Sequence, residues 1–133
     1  MLEYRTEDDL DPREFLRVLN ESTLGERRPV DDVARIEAMV RGGNLLVTAR
    51  RAGVLVGVAR SVTDFVYCCY LSDLAVVRAE QGTGVGRRLL EETRARLHPD
   101  ATLILLSAPA ATGFYPKTGM RPHDAAFVIR AGD

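Results

Sequence analysis

Apolar residues recur at helical spacing in two stretches near the N-terminus, residues 12–20 and residues 31–40. Pro12 suits a first helical turn, and Gly42 with Gly43 ends the second pattern. The apolar positions that form the two faces are Phe15, Leu16, Leu19, Val33, Ile36, Met39 and Val40. The spacing therefore predicts two helices, joined by a polar loop.

The pattern then changes to short apolar runs that are typical of strands. Residues 45–49 and 54–59 flank a short turn sequence and predict an antiparallel hairpin, in which Gly57 is a candidate bulge position. Residues 65–77 are rich in aromatic and β-branched side chains and predict one long strand. These three strands form an antiparallel meander.

The last third of the chain alternates helix and strand. A helical stripe begins near Gly84 and ends at His98-Pro99. Residues 102–107 are wholly apolar, which predicts a strand covered on both faces. Residues 108–119 are weakly helical, and residues 125–130 predict a closing strand. The order predicts a mixed α/β fold with an antiparallel first half and helices on both faces of the sheet.

Composition narrows the function classes. The 133 residues predict one domain, spanning positions 1–133, and a net charge of −1 gives no global attraction to nucleic acid or anionic membranes. No apolar run reaches membrane-spanning length, and the acidic N-terminus lacks a secretion-signal core, so we expect a cytoplasmic protein. The adjacent Cys68 and Cys69 offer no metal-binding pattern, and no metal is expected.

Between the long strand and the next helix lies the sequence Gln81-Gly-Thr-Gly-Val-Gly86. Glycines allow close backbone approach, and the first N–H groups of a helix attract anions, which predicts a phosphate site. Arg87 and Arg88 strengthen this interpretation. The helix dipole disfavours cations in a first helical turn, so two arginines there indicate an anionic partner. The spacing departs from both the P-loop and the dinucleotide-binding fingerprint, which disfavours a nucleotide-phosphate binder.

The loop has the form Gln81-x-x-Gly84-x-Gly86, which resembles the Q/R-x-x-G-x-G/A signature of the GNAT superfamily of acetyl-coenzyme A-dependent N-acetyltransferases. Residues 114–120, FYPKTGM, resemble the second marker of that superfamily. The predicted element order resembles the GNAT fold over nearly the whole chain. One departure is Ala108, which stands where many members carry an asparagine.

The resemblance implies acetyl-coenzyme A as cosubstrate and two sets of cofactor-binding residues. The N–H groups of the glycine loop would hold the pyrophosphate, and the backbone of the preceding strand would pair with the pantetheine amides. The loop residues are Gln81, Gly82, Thr83, Gly84, Val85, Gly86 and Arg87, and the strand residues are Leu74, Ala75 and Val76.

Two residues are candidates for catalysis. Tyr115 matches the family tyrosine that serves the leaving thiolate, and its alternative role is packing beside Phe114. Asp73 is either the general base or a structural residue. Relatives more often place the base at the positions of Tyr70 or Ser72, and strand alternation predicts that these two point away from Asp73.

Five further polar residues are weaker candidates, for which a structural or solvated role is the default. They are Asp64, His98 and His123, and, in the loop between the first two helices, Arg27 and Arg28. That loop and the N-terminal helices are expected to recognise the acceptor.

The sequence therefore predicts an N-acetyltransferase that acts by direct transfer to a primary amine of a small molecule. The alternative is a coenzyme A-binding sensor or interaction module without efficient transferase activity, because no general base is evident. A homodimer is also expected, since sheets of this kind often expose a terminal strand that pairs.

Overall fold

A mixed sheet of five strands forms the centre of the computed structural model, which describes residues 1–133. The strands lie in the order β1-β2-β3-β4-β5; every neighbouring pair is antiparallel except β4 and β5, which are parallel. The strands are β1 (Leu2–Thr6), β2 (Leu45–Arg51), β3 (Val54–Thr63), β4 (Cys68–Val76) and β5 (Thr102–Ile104). The predicted hairpin and the predicted mixed fold with an antiparallel first half are both confirmed.

Three α-helices pack on this sheet: α1 (Pro12–Glu21), α2 (Val33–Gly42) and α3 (Val85–Ala95). Asp11 and Asp32 cap the first two, each accepting a hydrogen bond from a backbone N–H in the first turn. Two short 3₁₀ turns, Pro109–Ala111 and Tyr115–Thr118, lie in the stretch before Gly119 that the sequence predicted to be weakly helical. None of the helices combines the length and the apolar character that a transmembrane span requires.

The helices cover both faces of the sheet, as predicted. A Cβ at Gly57 would lie 3.0 Å from Leu89 and 3.2 Å from Val85, so β3 approaches α3 closely on that face. Arg60 points to the opposite face and donates a hydrogen bond to the carbonyl of Met39 in α2. The bulge expected at Gly57 falls on its neighbour Val56, which has no partner on β2.

Strand β1 was not predicted from the sequence. The strand is only five residues long, and its two apolar residues, Leu2 and Tyr4, are too few to mark a strand in a single sequence. The pairing with β2 places it at the sheet edge, with Tyr4 opposite Ala49. The strand forms because β2 supplies a hydrogen-bonding edge, and a single sequence carries no signal for that partner.

Three predicted strands differ from the structure: one is absent and two are shorter than predicted. β5 covers only three of the six residues 102–107, and its side chains are exposed or half-exposed instead of covered on both faces. Residues 125–130 form no strand and are exposed throughout. The predicted long strand also begins later, at Cys68, since Asp64 accepts hydrogen bonds from three backbone N–H groups and forms a turn.

A buried ion-pair network fixes the edge strand to the rest of the fold. Arg50 donates to Glu7 at 2.8 and 2.9 Å and to Glu14 at 2.7 and 2.9 Å, and the Thr48 hydroxyl also bonds to Glu7. The hydrogen bonds from Arg50 lower the pKa of Glu7 to about 2. The ionised carboxylate of Glu7 therefore stabilises the folded state relative to the unfolded state.

Replacing Glu7 by Gln is expected to lower the free energy of unfolding at neutral pH by up to about 3 kcal/mol, the value of a pKa lowered from 4.5 to about 2. The wild-type contribution is full above the unfolded pKa and disappears as the pH falls through the folded one, so the two proteins should converge near pH 2. Urea unfolding across this range measures the difference. Glu3→Gln, at an exposed glutamate, is the control. A difference in unfolding free energy between the wild type and Glu7→Gln that stays constant down to pH 2 would contradict the prediction.

Candidate active site

A gap between β4 and β5 opens beside the second half of β4. The two strands pair only where Cys68–Tyr70 meets Thr102–Ile104. Beyond that point β4 has β3 on one side and no strand on the other. The Val77 N–H donates to the carbonyl of Val56 in β3, and strand alternation therefore turns the backbone groups of Leu74 and Val76 toward the gap.

Of the three β4 residues predicted to contact the coenzyme, Leu74 and Val76 face the gap and Ala75 faces β3. Ala75 lies opposite Val58, and its carbonyl approaches Gly57, so its backbone groups face β3. The Gln81 side-chain amide donates to the Val76 carbonyl at 2.9 Å and closes the glycine loop against the strand end. Leu74 thus presents both an N–H and a carbonyl to the gap, and Val76 presents its N–H.

The glycine loop has the geometry of an anion site. Gly82 and Gly84 have φ of +79° and +92°, a region that favours glycine, and Gly84 is the N-cap of α3. Thr83 donates its hydroxyl to the Glu80 carbonyl. The backbone N–H groups of residues 82–87 make no hydrogen bond within the chain. Six unbonded donors therefore lie on one loop at a helix N-terminus, a place in a fold that can bind phosphate.

Gly86 joins this loop to the second marker sequence. A Cβ at Gly86 would lie 3.3 Å from the ring of Phe114, so the first turn of α3 and that ring are in close contact. Phe114 in turn packs edge-on against Tyr115, with 5.0 Å between the ring centroids. The third glycine of the loop therefore serves packing, and it places Tyr115 near the start of α3.

The two arginines after the loop have different surroundings. Arg88 lies over the Tyr4 ring, 4.6 Å from its centroid, and pairs with Glu92 at 2.8 Å. Arg87 is exposed and makes only a loose 3.4 Å pair with the exposed Glu91. Arg88 therefore belongs to the packing of β1 on α3, contrary to the interpretation that both arginines attract the anion, and only Arg87 remains available to the loop.

Tyr115 is half-buried at the start of a 3₁₀ turn, Tyr115–Thr118. Burial raises the pKa of its hydroxyl above the ordinary value, and the nearby charge of Arg28 opposes this shift in part. The phenol is therefore protonated at neutral pH and has a proton to donate. It also has no hydrogen bond to another side chain that would occupy it.

Asp73 is enclosed by two arginines. Its side chain is fully buried, and Arg28 and Arg60 each donate from Nε to one of its two oxygens. The same arginines bond to Ser72, Arg60 to the hydroxyl at 3.0 Å and Arg28 to the carbonyl at 2.7 Å. This cluster, which we call the Asp73 cluster, ties the loop before α2 to β4.

A bulge in β4 changes which residues share a face. Arg60 pairs with Asp73 and Val62 pairs with Tyr70, whereas Ser72 is the extra residue between two successive pairs. Directly paired residues point to the same face, as do residues two apart along a strand. Tyr70 and Asp73 therefore share a face, and the simple alternation that separated them in the sequence analysis is wrong.

Of the five weaker candidates, only Arg28 takes part in this arrangement. His98 and His123 each accept a hydrogen bond at Nδ1 from a backbone N–H two residues later, in exposed turns. Arg27 is exposed, whereas Arg28 is held by the Asp73 cluster. The sequence reasoning missed Arg60, because an arginine inside an apolar strand gives no local sign of its carboxylate partner.

Comparison with known proteins agrees with this geometry. Residues 18–131 match the family model described as the acetyltransferase (GNAT) domain. A Staphylococcus aureus protein described as a probable acetyltransferase superposes with a TM-score of 0.79 at 17% identity, covering 98% of this chain and 99% of that one. A GNAT-family acetyltransferase from Streptococcus pneumoniae gives 0.78 at 19%, with coverage of 98% and 97%.

An aminoglycoside N-acetyltransferase solved with coenzyme A also shares the fold, with a TM-score of 0.71 at 14% identity and coverage of 98% and 94%. At these identities the superpositions establish the fold alone. No curated protein sequence matches the chain.

Proposed function

The chain belongs to the GNAT family of acetyltransferases, and from this premise we propose that it transfers an acetyl group from acetyl-coenzyme A to a primary amine of a small acceptor. Residues 1–133 would act as one domain. The observation that carries the proposal is the set of six unbonded N–H groups at residues 82–87, in the loop that follows the free backbone edge of β4. A net charge of −1 also gives the chain no general attraction to a polyanionic partner.

The residues present fit the coenzyme. The loop N–H groups and Arg87 would hold the pyrophosphate, and the open space around Gly82 and Gly84, with no atom within 4 Å of a built Cβ, leaves room for it. Leu74 and Val76 offer amide-spaced backbone groups in the gap, suited to the pantetheine arm. The bound coenzyme supplies an acetyl group already activated as a thioester.

Tyr115 is the proton donor in this proposal. Its raised pKa keeps the hydroxyl protonated at neutral pH, and the contact of Phe114 with Gly86 holds it near the coenzyme loop. The acceptor amine must reach the site without its extra proton, and the new amide bond forms as the carbon–sulfur bond breaks. Tyr115 would then protonate the departing sulfur, and the proton that the amine nitrogen loses on becoming an amide would pass to solvent, from which the Tyr115 hydroxyl is restored.

We propose that Asp73 positions the loop before α2 and does not act as the base. Both of its oxygens already accept hydrogen bonds from arginines, so neither oxygen is free to take a proton from an acceptor amine. Of the two roles left open by the sequence, the geometry favours the structural one.

Asp73→Asn is therefore expected to cost about 3 kcal/mol or more of unfolding free energy, because it leaves two arginines without their buried partner. The pH profile of kcat/KM should keep its shape, with a lower plateau. Denaturant unfolding and a pH–rate series measure the two effects. Asp100→Asn, at a highly exposed aspartate, is the control. Loss of the acid limb of the profile in a fully stable Asp73→Asn protein would make Asp73 the base.

Calorimetric titration with acetyl-coenzyme A, with NADH and ATP as comparison ligands, tests the cofactor assignment. Selective binding of acetyl-coenzyme A is expected, since the loop spacing departs from both nucleotide motifs. A folded protein that binds none of the three, or binds all equally, would contradict the assignment.

A coenzyme A-binding module without efficient transfer is the second candidate. The engagement of Asp73 by two arginines favours it, because no other acidic or histidine side chain of β4 is available as a base. Release of free thiol from acetyl-coenzyme A in the presence of a panel of primary amines separates the two functions. Amine-dependent release supports the transferase, and tight binding without release supports the module.

A further inference from the structure

The Asp73 cluster contains more positive than negative charge. Arg28 and Arg60 both pair with Asp73, and neither makes an ion pair with any other carboxylate. Two guanidinium charges therefore face one carboxylate. The side chain of Asp73 is fully buried, and those of Arg60 and Arg28 are 9% and 21% exposed. Since a partly buried charge is stabilised by a counter-ion, the excess positive charge is suited to an anion from outside the chain.

Arg28 is the member of the cluster that such an anion can reach. A guanidinium has five N–H donors. Those of Arg28 bond to Asp73, to the Ser72 carbonyl at 2.7 Å and to the Arg27 carbonyl at 2.8 Å. Two of the five donors therefore have no acceptor within the chain. The side chain of Arg60 is less exposed than that of Arg28, and it bonds to the carbonyl of Met39 in α2.

Arg28 also lies close to the proposed reacting groups. It bonds to Ser72 and Asp73, which directly precede Leu74, the residue whose N–H and carbonyl face the gap. Of the charged side chains, only Arg28 influences the pKa of the Tyr115 hydroxyl through its charge. In the proposed function this hydroxyl serves the departing sulfur, and the acceptor amine attacks the carbon next to that sulfur. An acceptor bound in the gap would therefore lie beside Arg28.

The phosphates of the coenzyme would lie too far along β4 to be the partner of Arg28. The proposed pyrophosphate site is the loop at residues 82–87, beyond the end of β4 at Val76. Asp73 and Val76 are three residues apart, which is about 10 Å along a strand. The pantetheine arm between the two places carries amides and no charge. The acceptor is then the molecule left to supply the anion.

We infer that Arg28 binds an anionic oxygen group of the acceptor, a carboxylate or a phosphate, while the primary amine of the same molecule attacks the thioester. This inference rests on the proposed function and narrows the substrate class to small amines that also carry an oxyanion. The permanent charge and planar donors of a guanidinium suit both anionic groups. Arg28 is in this role a specificity-determining residue, and Asp73 and the Ser72 carbonyl hold it in place.

Two matched pairs of amines test the inference by binding alone. They are 4-aminobutanoate with 4-aminobutanamide, and 2-aminoethyl phosphate with 2-aminoethanol. Backbone NMR titration, with and without coenzyme A, measures the affinities in the absence of any acetyl donor. In at least one pair the anionic member should bind about tenfold or more tightly, as expected for charge-assisted hydrogen bonds. The pair that shows the larger difference identifies the carboxylate or the phosphate as the preferred group.

The NMR titration also locates the bound amine. The amide shifts of residues 27, 28 and 72–74 should change most. Equal affinities within both pairs, no binding of either anionic amine, or shifts confined to other residues would overturn the inference. A protein that does not bind coenzyme A contradicts the proposed function, whereas one that binds coenzyme A without preferring the anionic amines contradicts this inference alone.

Arg28→Gln should reduce the preference for the anionic amine to less than about twofold and leave the affinity for the neutral one nearly unchanged. Arg60 still pairs with Asp73 in this variant, and the cluster becomes neutral. Arg28→Lys keeps the charge and should retain part of the preference. Arg27→Gln, at an exposed neighbour without an ion pair, is the matched control and should bind like the wild type.

The ratio of the two affinities separates recognition of the anion from a structural role of Arg28. A structural role would weaken the binding of both members of a pair equally, and a preference that survives in Arg28→Gln would also contradict the inference. Thermal unfolding of each variant checks that the fold is kept. If Arg28→Gln does not fold, the wild-type preference, the shift map and Arg28→Lys still decide the result.

Discussion

Gly84→Asp is expected to weaken acetyl-coenzyme A binding by on the order of 100-fold or more. A carboxylate beside the pyrophosphate costs about 3 kcal/mol at 5 Å with an effective dielectric of 20. Gly84 is the N-cap of α3, and a Cβ there meets no atom within 4 Å, so the added carboxylate would stand in open space on the loop that carries the unbonded N–H groups. Calorimetric titration of the folded variant measures the loss.

Gly84→Asn is the matched control, because asparagine has nearly the same shape without the charge. Both side chains are among those that tolerate positive φ, and the φ of +92° therefore strains the two variants similarly. The difference in affinity between them isolates the charge. Equal and near-native affinities in both variants would show that the anion does not lie at this loop.

Tyr115→Phe is expected to lower kcat by about 100-fold while changing the affinity for acetyl-coenzyme A by less than about threefold. The ring remains to pack against Phe114, and only the proton donor is lost. Because burial raises the pKa of this hydroxyl, the wild type should keep the donor through neutral pH and lose it only in strongly alkaline solution. Steady-state kinetics with an active amine, together with calorimetry, separates turnover from binding.

Tyr67→Phe provides the control for the same chemical change at an exposed tyrosine outside the site. It should leave both kcat and affinity unchanged. If Tyr115→Phe behaves like this control, then Tyr115 is a packing residue, and another group must protonate the leaving sulfur.

Local patterns predicted most of the elements. The first two helices begin at capping aspartates and follow apolar stripes, and the hairpin follows from two apolar runs around a glycine turn. The glycine loop could also be predicted from the sequence, because both its backbone freedom and its place before a helix depend on neighbouring residues. Its donors at residues 82–87 are unbonded in the structure, which supports the proposal of an anion site there.

The pairing of strands that are distant in the chain could not be predicted from the sequence. β1 depends on an edge offered by β2, more than 40 residues later, and the tail at 125–130 has a strand-like composition without a partner in its own chain. Strand propensity is weak without cross-strand neighbours, and therefore the sequence predicted the wrong state in both places.

The sequence by itself determined the helix and hairpin pattern, the glycine loop and the resemblance to an acetyltransferase family, because each depends on residues close together in the chain. Only the tertiary structure decided the roles of Asp73, Arg60 and Arg88. One bulge at Ser72 turned Asp73 to the face of Tyr70, and charges from two other elements then enclosed it. A shift of one residue in register moves every side chain beyond it to the opposite face of the sheet, and no local sequence pattern predicts such a shift.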